Sequence, residues 1–168
     1  GMTYRREENV IAWHKHDLGG SALAESVAVI PGDLDEDQVW ILTKKTINSV
    51  SRRYVEYLMP QDFGAVENAF FVDSGLTYSG SATTSITGLD HLEGQSVSIL
   101  ANGATHANKD VTNGAIALDR SATKVQIGLP FTSTLRTMRI EGGSATGSSQ
   151  GKIKRIHDVT VRFFETVG

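Results

Sequence analysis

The stretch Gln38–Met59, QVWILTKKTINSVSRRYVEYLM, decides the fold. In residues 38–47, large apolar side chains such as Trp40 alternate between two faces, which is the period of a β-strand. Asn48-Ser49 then supplies a turn, and residues 51–59 alternate again. This pattern predicts two antiparallel strands joined by a tight hairpin.

Two runs before this hairpin extend it to a predicted four-stranded antiparallel meander over residues 2–62. Asn9–His16 alternates, and Glu25–Ile30 is rich in β-branched residues and ends at the turn dipeptide Pro31-Gly32. The acidic residues between 33 and 37 are expected to form a solvated loop. A meander of about 50 residues has the size of one β-propeller blade and cannot bury both faces alone. We therefore expect the rest of the chain, another copy or additional sequence to cover it.

Residues 63–168 are predicted to form a second unit, a small β-barrel or sandwich. Asn102-Gly103 and Asn113-Gly114 are strong signals of two-residue hairpins between short strands. Further turns are predicted at residues 73–75 and 79–81, where Gly and Ser interrupt the apolar runs. The expected fold class is therefore all-β, an antiparallel meander followed by a barrel or sandwich.

Four more segments complete the second unit. Phe131–Ile140 is predicted to be a strand, and Gly142–Gly151, which is rich in Gly and Ser, a flexible loop. Lys152–Thr166 alternates over a long span and contains β-branched and aromatic residues, which favours a final strand over a helix. Only Gly88–Glu93 suggests a single helical turn.

The composition is that of a globular protein, with 39% hydrophobic and 21% charged residues in a chain of 168. The formal net charge of −3 argues against a free-standing binder of nucleic acid. The sequence contains no cysteine, which excludes a disulfide framework, a zinc-thiolate site and a cysteine nucleophile. No apolar run approaches the roughly 18 residues that span a bilayer, so no membrane partner is expected.

Sequence motifs that would carry catalysis are absent. The sequence has neither a G-x-S-x-G elbow nor a Gly-rich phosphate cradle. His14 and His16 could share a strand face and bind a metal, but they lack a convincing third ligand. The acidic residues between 33 and 37 lack the glycine and distal glutamate of an EF-hand. We therefore expect no enzymatic activity, no metal and no cofactor.

The segment 151–168 is basic on an otherwise acidic chain. It has four basic and two acidic residues, and so a net charge of +2. The basic residues are Lys152, Lys154, Arg155 and Arg162. In a monomer such a stripe is typical of a solvated strand face, but repeated around a ring it could face a lumen through which DNA passes.

Three aromatic residues are candidates for packing between subunits or for stacking on a glycan. They are Trp13, Trp40 and Tyr78. Tryptophan rings on strands most often serve core or interface packing, and less often form a sugar platform. Both interpretations stay open from the sequence.

Eight stretches, in the same order along the chain, resemble the C-terminal region of tail and tail-nozzle structural proteins of tailed bacteriophages. They are Val10–His16, Gly20, Glu25–Gly32, Asp35–Trp40, Arg52–Glu56, Asp73–Tyr78, Gly88–Gly94, and Gly151–Arg155 with Arg162–Phe163. Leu92–Leu135 is also similar to small β-barrel modules of such proteins. Family members generally extend further toward the N-terminus than this chain.

The resemblance implies a structural role in the virion without catalysis. Its expected partners are other tail proteins and further copies of this chain, with transient contact to phage DNA. The expected location is the tail of the virion, often of a prophage, and the host cytoplasm during assembly. The alternative function is a module of the tail that binds surface glycan through the three aromatic residues. A cell-wall hydrolase would need clustered carboxylates or a metal site, which the spacing does not suggest.

Reversing the charge at Lys152, Lys154 and Arg155 tests the predicted stripe. If it faces DNA in the tail, the variant should fold normally but deliver DNA poorly, because repulsion of the phosphates replaces attraction. Infectivity of phage carrying the variant is the measurement. Unchanged infectivity would contradict the predicted contact of this stripe with DNA.

Overall fold

The computed structural model describes residues 1–7, 9–32, 37–60, 62–134, 136, 147, 151, 153 and 155–162. Residues 1–131 form one compact unit, and residues 132–166 form a second. The described elements are β-strands and short 3-10 turns, which confirms the all-β class. No helix in this part of the chain is long and apolar enough to cross a membrane. The division at residue 62 expected from the sequence stays a prediction.

The first hairpin differs from the predicted meander. β1 (Met2–Arg5) pairs with β2 (Val10–Trp13), so the strand expected at the start of a four-stranded meander lies in a separate two-stranded sheet. The cause is local. Only four residues separate β1 from β2, so the two strands close a short hairpin. The next strand follows only after the 3-10 turn Gly19–Ser21. Asp73 anchors this turn by accepting a hydrogen bond from the Gly19 N–H.

The second sheet is a three-stranded meander in the order β3-β4-β5. It consists of β3 (Leu23–Ile30), β4 (Gln38–Ile47) and β5 (Val50–Tyr57). The predicted turn at Asn48-Ser49 is confirmed, with φ of 49° and 62°, the left-handed values of a tight hairpin. The sequence therefore predicted this pair of strands and the turn between them correctly.

The third sheet has four antiparallel strands in the order β6-β9-β7-β8. These are β6 (Asp73–Thr87), β7 (Ser96–Ala101), β8 (Ala104–Asp110) and β9 (Ala115–Leu129). The predicted hairpin at Asn102-Gly103 is confirmed, whereas Asn113-Gly114 forms a two-residue turn between β8 and β9, which are not neighbours in the sheet. An isolated bridge between Thr112 and Ala115 closes this turn, and Lys109 of β8 forms an ion pair with Asp119 of β9, with nitrogen and oxygen 2.6 Å apart.

β6 runs through the turns predicted at residues 73–75 and 79–81, and that prediction was wrong. Gly and Ser mark irregularities in the ladder between β6 and β9, not chain reversals. At Gly75 a Cβ atom would lie 2.6 Å from the Ile127 carbonyl oxygen, and at Gly128 one would lie 2.7 Å from the Gly75 Cα. Glycine is therefore required for close approach of the two backbones.

The core lies within the four-stranded sheet and under the 3-10 turn Asp90–Leu92. Leu89 and Leu92 flank and end this turn, and both are fully buried. The single helical turn expected at Gly88–Glu93 is therefore confirmed in its 3-10 form. The sheet contributes Ile86, Val97, Ile99, Ala101, Ile116, Leu118, Ala122, Val125, Ile127 and Leu129 to the same cluster.

Two strands predicted toward the C-terminus are not formed in the described residues. Residues 131–134 and 155–162, like Ile153, belong to no strand. In the unit of residues 132–166, the exposed apolar side chains include Ile153, Ile156, Val159 and Val161. An alternating sequence forms a strand only where a neighbouring edge supplies hydrogen-bond partners, and the described residues supply none here. The Gly/Ser-rich loop lies outside the described residues, except Gly147 and Gly151.

Asn102 joins the β7–β8 hairpin to β9. Its Oδ1 atom accepts hydrogen bonds from Thr123 N at 3.1 Å, Thr123 Oγ1 at 3.1 Å and Lys124 N at 3.0 Å. Its backbone N–H donates to the Lys124 carbonyl oxygen at 2.8 Å. Asn102 thus serves as a turn residue and as a link between strands.

Asn102→Ala is expected to lower the free energy of unfolding by about 1–2 kcal/mol more than Asn113→Ala. Both residues have left-handed φ, 50° and 55°, so both substitutions introduce the same backbone strain. Only the first removes the side-chain acceptor. Urea unfolding of both variants measures the difference, and equal losses would contradict this role of Asn102.

Candidate functional site

The three-stranded sheet β3-β4-β5 has two faces that are covered differently. Thr43, Lys45 and Ile47 lie on one side of β4, here called the packed face, and are buried. Trp40 and Leu42 lie on the other side, here called the open face, and are only half-buried. The sheet therefore combines one covered end with large areas that solvent reaches.

The open face carries an aromatic pair. Trp40 lies opposite Tyr57 across the β4–β5 ladder, with ring centroids 5.1 Å apart and planes inclined at 35°. Trp40 Nε1 donates to Gln38 Oε1 at 3.3 Å. Val55 follows on the same face of β5 and is 68% exposed. The open face thus presents aromatic and aliphatic side chains side by side.

An ion pair borders the open face. Arg53 Nε donates to one oxygen of Glu25 at 2.6 Å, and a second guanidinium nitrogen contacts the other oxygen at 3.2 Å. The hydrogen bond from Arg53 lowers the pKa of the Glu25 carboxyl. Both charges are compensated within the sheet, so neither needs a partner from another molecule.

The packed face is covered at only one end. At the other end Val27 is 66% exposed and Val29 is 62% exposed. They lie opposite Ile41 and Val39, which are half-buried. Four aliphatic side chains therefore form an apolar patch beyond the covered end, and β3 borders it as the edge strand.

A buried polar network holds the covered end to β6. Lys45, 2% exposed, donates to Glu56 Oε1 at 2.7 Å and also to the Ser74 hydroxyl. Thr43 Oγ1 donates to Glu56 Oε2 at 2.7 Å, and Ser74 donates to Glu56 Oε1. Burial alone would raise the pKa of Glu56, but the hydrogen bonds from Lys45, Ser74 and Thr43 outweigh it and lower the pKa.

The contact between Lys45 and Ser74 has the residue types of a lysine-activated nucleophile. Here the lysine is ion-paired to Glu56 with its side chain 1% exposed. The Ser74 hydroxyl already donates to that carboxylate. The arrangement satisfies each buried polar group and links two sheets, which is a structural role.

A small cleft of about 150 Å³ lies between the β4–β5 hairpin and the Asp90–Leu92 turn. Two of its polar side chains, Glu93 and His91, have partners inside the fold. Glu93 accepts the Asn113 and Gly114 backbone N–H groups at 3.0 and 2.8 Å, and His91 Nε2 lies 2.8 Å from the Ser74 carbonyl oxygen. These contacts hold turns in place, so the cleft is not the favoured site.

The predicted aromatic residues occupy three different sheets. Trp13 lies on β2 and is 80% exposed, Trp40 lies on the open face, and Tyr78 packs half-buried against the core. The Tyr78 hydroxyl donates to the Ser81 carbonyl oxygen at 2.6 Å. Sequence reasoning missed Tyr57 as the partner of Trp40. A two-residue turn at 48–49 fixes that register, so the signal was present.

The predicted basic stripe is only partly within the described residues. Arg155 and Arg162 are exposed, whereas Lys152 and Lys154 lie outside the described residues. Of the acidic residues expected in a solvated loop, Asp37 is exposed and residues 33–36 lie outside as well. The role of the stripe stays a prediction.

His14 and His16 follow the end of β2 with rings 4.7 Å apart in an edge-on arrangement. Loss of hydration, the positive N-terminus and His16 together lower the pKa of His14. Among the residues that the structure describes, no group of three or more His, Cys, Asp or Glu side chains could hold a metal. The pair therefore lacks a third ligand in this part of the chain.

The chain matches no protein-family model and no curated protein. Its resemblance to phage tail proteins therefore stays a prediction. The candidate site rests on the geometry of the three-stranded sheet, with its open face, its apolar patch and its free edge.

Glu56→Gln is expected to lower the free energy of unfolding at pH 7 by about 2 kcal/mol. Removing one partner of a buried pair destabilises by about 3–5 kcal/mol, and solvent access to Glu56 reduces the effect. Because the folded pKa of Glu56 lies below its ordinary value of 4.5, the stabilisation is complete above that pH and is lost as the pH falls through the folded pKa.

Urea unfolding between pH 3 and pH 7 (roughly the range of carboxyl titration) measures this effect. Glu25→Gln is the matched control, because it removes an exposed ion pair from the same sheet and should change stability little. Equal losses in the two variants would contradict a structural role of the network.

Proposed function

We propose that the protein is a non-enzymatic structural component of a bacteriophage tail and acts by packing against other subunits. The observation that carries the proposal is the three-stranded sheet, which exposes apolar side chains on both faces. Burial of such surface contributes about 25 cal/mol per Å². Exposed apolar patches on an otherwise folded protein mark interaction surfaces.

The fold supports an assembly role in a second way. The network around Lys45 and Glu56 and the buried side chain of Ile47 fix one end of the sheet, while the other end extends past this contact. An interface on a rigid element needs little ordering when a partner binds, because its side chains are already placed. The sheet therefore offers a prepared packing surface.

The assignment to a phage tail comes from the resemblance of the ordered sequence stretches. It implies other tail proteins and further copies as partners, and the virion as the location. Arg155 and Arg162 are exposed, as contact with DNA in the tail requires. The proposal includes that contact as transient and electrostatic.

The aromatic pair on the open face favours a second candidate function, recognition of a surface glycan. Trp40 and Tyr57 place two rings side by side, and Gln38 and the Glu25–Arg53 pair supply polar groups around them. Sugar rings stack on aromatic faces and hydrogen-bond at their edges. The two functions make different predictions. Assembly requires this surface if it packs against other subunits, whereas a tail that uses it to bind glycan assembles without it.

Val55→Lys tests the assembly function. The side chain is 68% exposed, so the variant should fold, but a charge on the open face should block packing. We expect at least about a tenfold loss of incorporation into tails, the loss that about 1.4 kcal/mol produces. Electron microscopy and the protein content of purified particles are the measurements.

Thr46→Lys is the matched control. It adds the same charge to the open face at an exposed position of β4 that lies away from the aromatic pair. Normal incorporation of Val55→Lys would contradict the assembly function. If Trp40→Ala particles assemble but lose binding to host polysaccharide, the glycan function is correct instead.

A further inference from the structure

β3 presents an edge that is prepared to accept another strand. It is the outer strand of its sheet, and all eight of its residues are exposed. Edge strands are normally protected by lysine, proline or inward-pointing charge. β3 contains no lysine or proline, and its single charge, Glu25, is compensated by Arg53. Its one irregularity lies between Ala24 and Ser26, before the stretch from Val27 to Ile30. Its outer backbone groups are therefore free to pair with an added strand.

The segment Arg155–Arg162 has the sequence of a strand but no partner in the described part of the chain. Val159 and Val161 alternate with Thr160 and Arg162, and both valines are exposed. β-branched residues at this spacing favour a half-buried strand.

Charge complementarity defines the direction in which the two would pair. Four acidic residues follow β3 in the sequence: Asp33, Asp35, Glu36 and Asp37. Three basic residues precede Ile156: Lys152, Lys154 and Arg155. Only an antiparallel arrangement brings the beginning of the basic segment to the acidic end of β3.

We propose that the segment Arg155–Arg162 of one copy adds as an antiparallel strand to β3 of a second copy. Val159 then lies opposite Val29, and Val161 opposite Val27, which extends the apolar patch on the packed face by two β-branched pairs. The same register places Arg162 opposite Ser26. This inference rests on the proposed packing function and names its partner.

Strand addition accounts for affinity and for specificity. The ladder supplies main-chain hydrogen bonds, and alternate side chains select the register. A chain that carries both the donor segment and the acceptor edge can bind a copy on each side, and such contacts generate rings or filaments according to the angle between copies. Among the described residues of one chain β3 pairs with β4 alone, so we take a second copy of this chain as the occupant of the free edge.

Cysteine cross-linking of full-length chains tests the register. The natural sequence has no cysteine, so each introduced thiol reports one position. Mixing Val29→Cys with Val159→Cys, or Val27→Cys with Val161→Cys, should give disulfide-linked dimers on mild oxidation. Mixing Val27→Cys with Val159→Cys is the matched control for a parallel ladder and should give at least tenfold less dimer.

Equal dimer yields in all mixtures, or none in any, would overturn the proposal. A monomeric disulfide in the single chain carrying Val29→Cys and Val159→Cys would also overturn it, because the segment would then fold back onto its own edge. As a second measurement, Arg155→Glu should slow cross-linking about tenfold at low salt and have little effect at high salt. Slowing that does not depend on salt would contradict the proposed attraction between the basic segment and the acidic end of β3.

The outcome is separable from that of the proposed function. If the paired cysteine variants enter tails without forming the predicted cross-links, strand addition is wrong and the packing function stands. If the cross-link pattern appears but Val55→Lys enters tails normally, strand addition stands and the proposed role of the open face is wrong.

Discussion

The ion pair between Lys45 and Glu56 is the contact on which the arrangement of the two larger sheets depends. It lies where the packed face of β4 meets β6, and Ser74 from β6 completes it. A charge so fully buried is tolerated only when its partners stay in place. The covered end of the three-stranded sheet is thereby fixed, and the uncovered end, with Val27 and Val29, is left to make contacts elsewhere.

The sequence predicted those elements whose signals are local. The hairpin at Asn48-Ser49 and the two Asn-Gly turns follow from left-handed backbone preferences, and alternation located β4, β5 and β7. Pairing between segments was harder to predict. The pairing of β2 with β1 depends on a competition between two neighbours, and the continuity of β6 depends on irregularities that read as turns in the sequence.

The candidate site was only partly visible from the sequence for the same reason. Trp40 was a candidate for interface packing or glycan stacking, but Tyr57 joins it only through the ladder register. Lys45 lies on the same face of β4 as Ile41 and Thr43, but the sequence pattern of β4 gives no sign of the carboxylate with which this lysine pairs. The C-terminal segment shows the opposite case, a strong strand sequence without a strand, because a ladder needs an edge as well as a pattern.

The approach of β6 to β9 at Gly75 and Gly128 has an evolutionary consequence. Neither position can gain even a methyl group without moving the opposite backbone. Mutational drift can exchange one aliphatic residue for another throughout the surrounding core, but it cannot pass through this pair. We therefore expect glycine at both positions in any protein that keeps this close approach of the two strands.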